Sequence, residues 1–302
     1  MGNKPLLSIC IPTYNRQKHL KTCLDRIVSQ DGFDVNTIEI VISDNASPDG
    51  TKTLVQEYQK KYTNIKYFRN EENIWANLNL FKAVEHATGE YIRFMWDDDQ
   101  IVDWWLYIIL DTIKKHNDIV LFHTNMIDWI HKVVIEDGII YFKTLLHENK
   151  ASKLLIFLTY FSALIIKRID FMQHLNEFKA KFPHKLKESY SHFYISIRCI
   201  NKQNIALLGD IIIWWTGDET DKTYRRNNSK KRYDIVITKW VDKIYEDHIF
   251  LDSIGITKKE LDVYKYNFLK IYRMVQISCF MKRIGIYKPM LYIFRKFIFR
   301  HV

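Results

Sequence analysis

Short apolar runs and longer amphipathic segments alternate along the first part of the chain. Four runs have the length and the β-branched or aromatic content of buried strands. They occupy residues 6–12, 38–43, 65–69 and 91–96. The segments between them repeat apolar residues at intervals of three and four, which predicts helices with one buried face. These predicted helices cover residues 17–30, a segment ending near residue 61, and residues 75–87.

Strands that alternate with helices of this length predict an α/β fold with a mostly parallel sheet covered on both faces. A strand at residues 162–167 and a helix-like segment after residue 188 extend the pattern. Ligands of such sheets bind beyond the carboxyl ends of the strands. We therefore expect the polar segments that follow three of the strands to converge on one crevice. These segments are residues 13–16, 44–47 and 97–99.

Three consecutive carboxylates, Asp97, Asp98 and Asp99, end the fourth apolar run. Adjacent aspartates repel one another, and a bound cation would offset that repulsion. Oxygen ligands suit Mg²⁺ or Mn²⁺, which would keep several waters and bridge to substrate phosphates. The alternative is a solvated acidic turn, and the buried strand that leads into the aspartates favours the metal site.

The composition is that of a folded protein with reduced cysteines. The chain has 302 residues, of which 47% are hydrophobic and 15% aromatic, which excludes a disordered or low-complexity class. Its four cysteines are scattered and form no CxxC pair, which fits structural thiols in the cytosol. The longest nearly uncharged stretch, residues 154–166, is too short to span a bilayer, so we expect no transmembrane helix.

The net charge of +10 is concentrated at the C-terminal end. Residues 221–302 hold 19 basic and 8 acidic residues, whereas the preceding residues hold 26 and 27. From Pro289 onward, a helical wheel separates apolar and aromatic residues from basic ones, which is typical of an interfacial helix on anionic lipid. A helix that packs its apolar face on the domain is the alternative. We predict a peripheral association with the inner face of the cytoplasmic membrane.

Five motifs together resemble family 2 glycosyltransferases of the GT-A fold. They are PTYNR at 12–16, SDNASPDGT at 43–51, NEENIWANLN at 70–79, ATGEY at 87–91 and DDD at 97–99. Within that family, the sequence is most similar to the abequosyltransferase-like enzymes, which build bacterial surface polysaccharides. The resemblance implies a GT-A domain over residues 1–220, with a nucleotide-sugar half at 1–125 and an acceptor half at 126–220. Residues 221–302 would form a basic, mainly helical extension.

The resemblance also implies a donor site. Asp44 would accept a hydrogen bond from the nucleotide base, and Asp97 and Asp99 would form the metal-binding DxD pair, with Asp99 the principal ligand. Asp98 remains a candidate because the run of three leaves the register open. The remaining expected donor-site residues are Pro12, Thr13, Tyr14, Asn15, Arg16, Asn45 and Asn73. One departure from the family pattern is Asn73–Ile74, which stands where many members have Asn-x-Gly.

A catalytic base is harder to assign from the sequence. The family uses an Asp or Glu from the second half of the domain, which gives inversion in a single displacement. Glu188 is the first choice, and His192 one turn later serves either as a base or as a packing residue. Further candidates are Asp210, Asp218 and Glu219.

Two tryptophan pairs have two possible roles. Trp104 and Trp105 follow the aspartates, and Trp214 and Trp215 end an apolar run in the second half. Aromatic rings beside a sugar site stack on pyranose rings, and aromatic rings beneath one fill the core. Both roles remain open from the sequence.

The predicted function is that of an inverting, metal-dependent glycosyltransferase. It would move a hexose-type sugar from a nucleotide sugar, most simply UDP-linked, to a hydroxyl of a bacterial surface glycan or lipid-linked oligosaccharide, with Mn²⁺ or Mg²⁺ as cofactor. One alternative, a sugar nucleotidyltransferase, lacks support because PTYNRQKH has no glycines. The other, a nucleic-acid-binding protein that uses the basic C-terminal region, conflicts with an acidic crevice.

Overall fold

One mixed β-sheet organises the part of the chain that this computed structural model describes. That part comprises residues 4–127, 132–133, 138–141, 161–187, 191–200 and 203–215. The strands are β1 (Leu7–Thr13), β2 (Ile38–Asp44), β3 (Ile65–Arg69), β4 (Tyr91–Phe94), β5 (Asp99–Ile101), β6 (Leu121–Ile127), β7 (Lys132–Val133), β8 (Gly138–Tyr141), β9 (Leu164–Lys167) and β10 (Asn204–Trp215).

Six α-helices accompany the strands within these ranges. They are α1 (Gln17–Val28), α2 (Thr51–Gln59), α3 (Ala76–His86), α4 (Trp105–Lys115), α5 (Arg168–Lys181) and α6 (Ser191–Ile200). Two short 3₁₀ segments, Phe161–Ala163 and Pro183–Lys187, precede β9 and follow α5. Within the described ranges, no helix has the length and apolar content that crossing a membrane requires.

The sheet runs in the order β3-β2-β1-β4-β9-β6-β10-β5, with β7 on β6 and β8 on β10. Its first half is parallel, because β2 and β4 flank β1 in the same direction and β3 follows β2. Its second half is mixed, since β9 is antiparallel to both β4 and β6, whereas β6 and β10 are parallel. The predicted α/β fold is confirmed, and the predicted parallel pairing holds in the first half of the sheet.

Strands β1 and β2 are buried along their whole lengths, as expected for parallel strands covered by helices on both faces. On one face Leu7, Ile9 and Ile11 share a core cluster with residues of α1 and α4, such as Leu24 and Ile109. On the other face α3 lies against β1 and β2. There the ring of Phe171 in α5 contacts both Phe81 of α3 and Phe94 of β4. The core therefore fixes the carboxyl ends of β1, β2 and β4 beside one another.

The predicted elements are present in the first half, and their ends differ by a few residues. The helix predicted at residues 17–30 ends at Val28, and the strand predicted at 162–167 begins with a 3₁₀ turn. The largest difference lies at residues 91–96, where β4 ends at Phe94 and the chain then leaves the parallel sheet. It re-enters at Asp99 as β5, antiparallel to β10. The basic segment at 221–302, including the predicted interfacial helix, lies outside the described residues.

Candidate active site

Three loops meet at the carboxyl ends of β1, β2 and β4. The hydroxyl of Thr13, the last residue of β1, donates a 2.7 Å hydrogen bond to Asp97 Oδ2 in the loop after β4. The amide of Asn15 donates to Ser47 Oγ in the loop after β2, at 2.9 Å. Residues separated by as many as 84 positions therefore form one cluster, because parallel strands place their carboxyl ends at the same edge.

Asp97 and Asp98 share one arginine. The Arg16 guanidinium places Nη2 at 2.6 Å from Asp98 Oδ2 and Nε at 3.5 Å from Asp97 Oδ1. The Asp97 side chain is only 2% exposed, and that of Asp98 is 13% exposed. Burial raises the pKa of Asp97 to about 7, although Arg16 and Thr13 oppose the shift. Arg16 and Thr13 thus offset only part of the cost of burying the charged form of Asp97.

Asp99 differs from its two neighbours in its surroundings. It begins β5, where it pairs with Trp215 of β10, and it is only 1% exposed. A second buried charge, Arg93 of β4, is completely buried and stacks 4.6 Å from the centroid of the Trp105 ring. Burial lowers the pKa of Arg93 to about 9, and the charge of Asp99 opposes this shift. Among the described residues, none forms a hydrogen bond with this guanidinium.

Asp44, the expected base-binding residue, is fully buried and already bonded at both oxygens. The Ser47 amide donates to Oδ1 at 2.9 Å. The Tyr67 hydroxyl and Arg69 Nη1 donate to Oδ2 at 2.5 and 2.7 Å. An arriving nucleotide base would therefore share this carboxylate with Tyr67 and Arg69, or displace one of them. Neither residue was predicted, although both belong to the strand that runs beside β2.

Asparagine side chains connect the loop after β2 to the loop before α3. The amide nitrogen of Asn45 donates to Asn73 Oδ1 at 2.6 Å, and its oxygen accepts from Asn70 at 3.0 Å. Asn79 of α3 accepts from Ser43 Oγ at 2.7 Å and from Asn70 at 2.9 Å. The asparagine-rich motif signalled this network, but the sequence did not indicate which member contacts which.

The other expected donor-site residues lie around the same edge. Pro12 is buried within β1, whereas Tyr14 and Asn15 are exposed in the loop that follows. Asn15 has a left-handed backbone with φ of 53°, a conformation that asparagine adopts more readily than most residues. This turn directs the backbone from β1 toward Ser47 and brings Arg16 to the aspartates.

The structure describes the side chain of one of the five candidate bases. Glu188, Asp218 and Glu219 lie outside the described residues, as does the side chain of Asp210. His192 lies in the first turn of α6 and is 2% exposed, so that both its roles, as a base and as a packing residue, stay predictions. The two tryptophans after the aspartates also differ, since Trp105 fills the core and Trp104 is 64% exposed.

The protein side chains alone do not supply a complete coordination shell for a cation. Among the described residues, no three His, Cys, Asp or Glu side chains are grouped as a metal site. Two neighbouring carboxylates at the edge of a crevice fit the way Mg²⁺ or Mn²⁺ binds when waters and substrate phosphates complete the coordination. Asp97 and Asp98 meet that description.

Curated relatives match part of the chain. The abequosyltransferase RfbV of Salmonella typhimurium is 38% identical over 117 residues, which cover 38% of this chain and 35% of that protein. The GalNAc(5)-diNAcBac-PP-undecaprenol beta-1,3-glucosyltransferase of Campylobacter jejuni is 39% identical over 99 residues, covering 32% and 31%. The matched segment spans about a third of the length of these relatives.

Solved structures match more of the chain at lower identity. S. aureus TarS in complex with UDP-GlcNAc superposes with a TM-score of 0.61 and 20% identity, covering 87% of this chain and 71% of that one. The mannosyltransferase PcManGT of Pyrobaculum calidifontis, solved with GDP-Man and Mn²⁺, gives a TM-score of 0.56 and 16% identity, covering 87% and 70%. These similarities establish the GT-A fold.

The family comparison covers the strands and loops that build the crevice. The model of Glycosyl transferase family 2 matches residues 8–165, which is more than half of the 302-residue chain. The matched segment runs from β1 through β9 and includes Thr13, Asp44 and all three aspartates. The chain therefore belongs to glycosyl transferase family 2.

Proposed function

We propose that this protein is an inverting, metal-dependent glycosyltransferase that transfers a hexose-type sugar from a UDP-linked donor. The observation that carries the proposal is the acidic cluster of Asp97 and Asp98, joined to Thr13 and Arg16 at the edge where ligands of such sheets bind. The complex of TarS with UDP-GlcNAc, on the same fold, supports a uridine nucleotide. The complex of PcManGT with GDP-Man and Mn²⁺ supports a divalent cation.

The nucleotide binds, in this proposal, across the loops after β1 and β2. Tyr14 is an exposed aromatic residue in the loop after β1 and can pack on a base. Asp44 and its partner Arg69 supply an acceptor and a donor for a base edge. The asparagine network around Asn45 and Asn73 holds the loop that borders this pocket.

The cation binds Asp97 and Asp98 in this proposal, rather than Asp97 and Asp99. Asp98 is the most exposed of the three carboxylates. Asp99 instead pairs in β5 and faces the charge of the buried Arg93. The cation would neutralise the diphosphate as it leaves, which requires no proton transfer. Thr13 orients Asp97 through its 2.7 Å hydrogen bond.

A carboxylate from the second half of the domain is proposed to deprotonate the acceptor hydroxyl, and Glu188 remains the candidate. His192, which is buried in the first turn of α6, is the second candidate. The acceptor is proposed to be a bacterial surface glycan or a lipid-linked oligosaccharide, which the names of the Salmonella and Campylobacter relatives support. The basic residues at 221–302 would hold the enzyme at the inner, anionic face of the cytoplasmic membrane.

Calorimetric titration of UDP into the protein, with Mn²⁺ and with EDTA, tests the donor site. We expect micromolar binding that requires the cation, and at least a tenfold loss in Asp98→Asn. Asp103→Asn is the matched control, because it makes the same chemical change on an exposed side chain five residues along the chain. UDP-GlcNAc, UDP-glucose and UDP-galactose should then be tested as donors. Failure of UDP, GDP, CDP and TDP to bind would contradict the proposal.

The membrane association is tested separately by co-sedimentation with anionic and neutral vesicles. We expect binding to anionic vesicles that weakens as salt rises, because the attraction is electrostatic. Equal retention on single-stranded DNA would favour a nucleic-acid-binding role for residues 221–302.

A further inference from the structure

Arg16 forms a bridge between two carboxylates that are also proposed to bind a cation. Its Nη2 lies 2.6 Å from Asp98 Oδ2, which is the distance of a strong charge-assisted hydrogen bond. Its Nε lies 3.5 Å from Asp97 Oδ1. The guanidinium therefore contacts one oxygen of each carboxylate.

The backbone on either side of Arg16 is held, whereas its side chain is not enclosed. The amide of Asn15 donates to Ser47 Oγ, and the amide of Gln17 donates to Asp49 Oδ2, both at 2.9 Å. The Arg16 side chain is 37% exposed. Rotation about its own side-chain torsions can thus move the guanidinium away from the aspartates without any change in the loop.

A guanidinium and a divalent cation are incompatible at this position. Both carry positive charge, and both require the oxygens of Asp97 and Asp98. A cation that binds Asp97 Oδ1 and Asp98 Oδ2, the two oxygens that Arg16 contacts, would therefore displace Arg16. A nucleoside diphosphate changes the balance, because its phosphate oxygens accept hydrogen bonds from the displaced arginine and also coordinate the cation.

We propose that Arg16 is a positioning residue that competes with the divalent cation for Asp97 and Asp98, so that the cation binds tightly only together with the donor diphosphate. This inference rests on the proposed function, since it assigns a role within the same donor site. It makes the coupling between nucleotide and cation depend on one side chain. By linkage, the nucleotide enhances cation binding by the same factor as the cation enhances nucleotide binding.

The test is the affinity of the full-length protein for Mn²⁺, followed by the paramagnetic resonance signal of free Mn²⁺, without UDP and with saturating UDP. Without UDP, we expect Arg16→Gln to bind Mn²⁺ about tenfold more tightly than the wild type. With UDP, we expect the variant to bind no more tightly than the wild type. The enhancement of Mn²⁺ binding by UDP therefore falls by at least tenfold. Arg16→Lys keeps the charge but loses the two-point contact. Its Mn²⁺ affinity without UDP should lie between those of the wild type and Arg16→Gln.

Arg26→Gln is the control for net charge. It removes one positive charge from an exposed position on α1, where Arg26 pairs with Asp103 at 3.9 Å. Its Mn²⁺ affinity should stay within twofold of the wild type under both conditions. Far-ultraviolet circular dichroism and thermal melting of each variant establish that the fold is retained.

Three results would overturn the inference. In the first, Arg16→Gln binds Mn²⁺ without UDP no more tightly than the wild type does. In the second, Arg26→Gln reproduces the full gain, which would assign the effect to net charge. In the third, UDP binds the wild type with no dependence on Mn²⁺. That result would support the nucleotide site but reject the competition between Arg16 and the cation. Absence of UDP binding in the wild type and in every variant would instead reject the proposed function, and the inference with it.

Discussion

Buried carboxylates lie at both ends of the same parallel strands, and their surroundings differ. At the amino-terminal end, Glu39 of β2 accepts hydrogen bonds from Ser8 Oγ at 2.5 Å and from the amide and hydroxyl of Thr88 at 2.8 and 2.7 Å. It also forms an ion pair with Lys66. Burial on its own would raise the pKa of Glu39, but hydrogen bonds from Lys66, Ser8 and Thr88 outweigh it and lower the pKa.

At the carboxyl-terminal end, Asp97 has fewer partners for a similar degree of burial. Thr13 donates one hydrogen bond to it, and Arg16 lies at 3.5 Å while bonding more closely to Asp98. Burial outweighs these partners and raises the pKa of Asp97 to about 7. Burial of an acid therefore does not by itself mark a functional site. Asp97 differs from Glu39 in that its protein partners compensate its charge less fully, as expected where a cationic ligand binds.

The sharpest test of this contrast is Asp97→Asn. Removing the under-compensated charge should weaken UDP binding in the presence of Mn²⁺ by about 100-fold, or about 3 kcal/mol. In EDTA at pH 8, the same change should raise the free energy of unfolding by about 1 kcal/mol, because an acid with a raised pKa is costly to keep ionised in the folded state. Calorimetry and urea unfolding measure the two effects. A loss of stability with unchanged UDP affinity would place Asp97 in the same class as Glu39.

Glu39→Gln should give the opposite pattern. The substitution leaves the partners of a buried carboxylate with one neutral acceptor, and we expect the free energy of unfolding to fall by about 2 kcal/mol. Affinity for UDP, per folded molecule, should remain within twofold, because Glu39 lies at the far end of β2. Urea unfolding and calorimetry on the same samples test this expectation. A tenfold loss of UDP affinity would contradict the separation of the two ends.

The sequence predicts the strands of the first half, and the loops that follow them, more successfully than these electrostatic differences. Local periodicity and the motifs indicate which segments form β1 to β4 and which loops follow them. Asp44 stands out because it ends β2 within a polar motif, but nothing local in the run IEIVISD indicates that Glu39 is a buried, paired carboxylate. Their roles depend on Ser8, Thr88 and Tyr67, which tertiary structure brings near. Partner sets of this kind cannot be inferred from spacing along one strand.

The strand pairings in the second half of the sheet could not be predicted from the sequence either. β9 enters between β4 and β6, and β5 pairs with β10 more than a hundred residues later. Such pairings depend on side-chain packing across the sheet and not on local propensity. Arg93 did leave a signal, as a charged residue within the apolar run YIRFM, but its electrostatic interaction with Asp99 could be identified only from the fold.

The pair Arg93 and Asp99 tests whether a second buried carboxylate at the carboxyl-terminal end of the strands is compensated. If the buried guanidinium compensates Asp99, then Arg93→Met and Asp99→Asn should each destabilise the protein, and the double variant should lose less than the sum. We expect a coupling free energy of about 1 to 2 kcal/mol, measured by urea unfolding in EDTA. The exposed pair Lys115 and Asp111, one helical turn apart, is the control and should couple by about 0.3 kcal/mol. Strict additivity for Arg93 and Asp99 would mean that Asp99 has another counter-charge.

The smallest expected effect is the pH dependence of the Glu39 cluster. A carboxyl with a lowered pKa in the folded state stabilises the protein above its unfolded pKa, and this contribution is lost as the pH falls through the folded pKa. The stability difference between wild type and Glu39→Gln should therefore be constant near neutral pH. Below about pH 4 it should narrow by about 1 kcal/mol, since protonated Glu39 forms neutral hydrogen bonds as glutamine does.

Urea unfolding of both proteins between pH 3 and pH 7 measures this difference, with Glu57→Gln on the exposed face of α2 as the control. The control should show no comparable narrowing, because its side chain has no buried partners to lose. A difference that widened on acidification would mean that Glu39 is held in its protonated form. In that case Glu39 would belong with Asp97, and a lack of compensation could no longer distinguish the ligand-binding end of the sheet from the structural end.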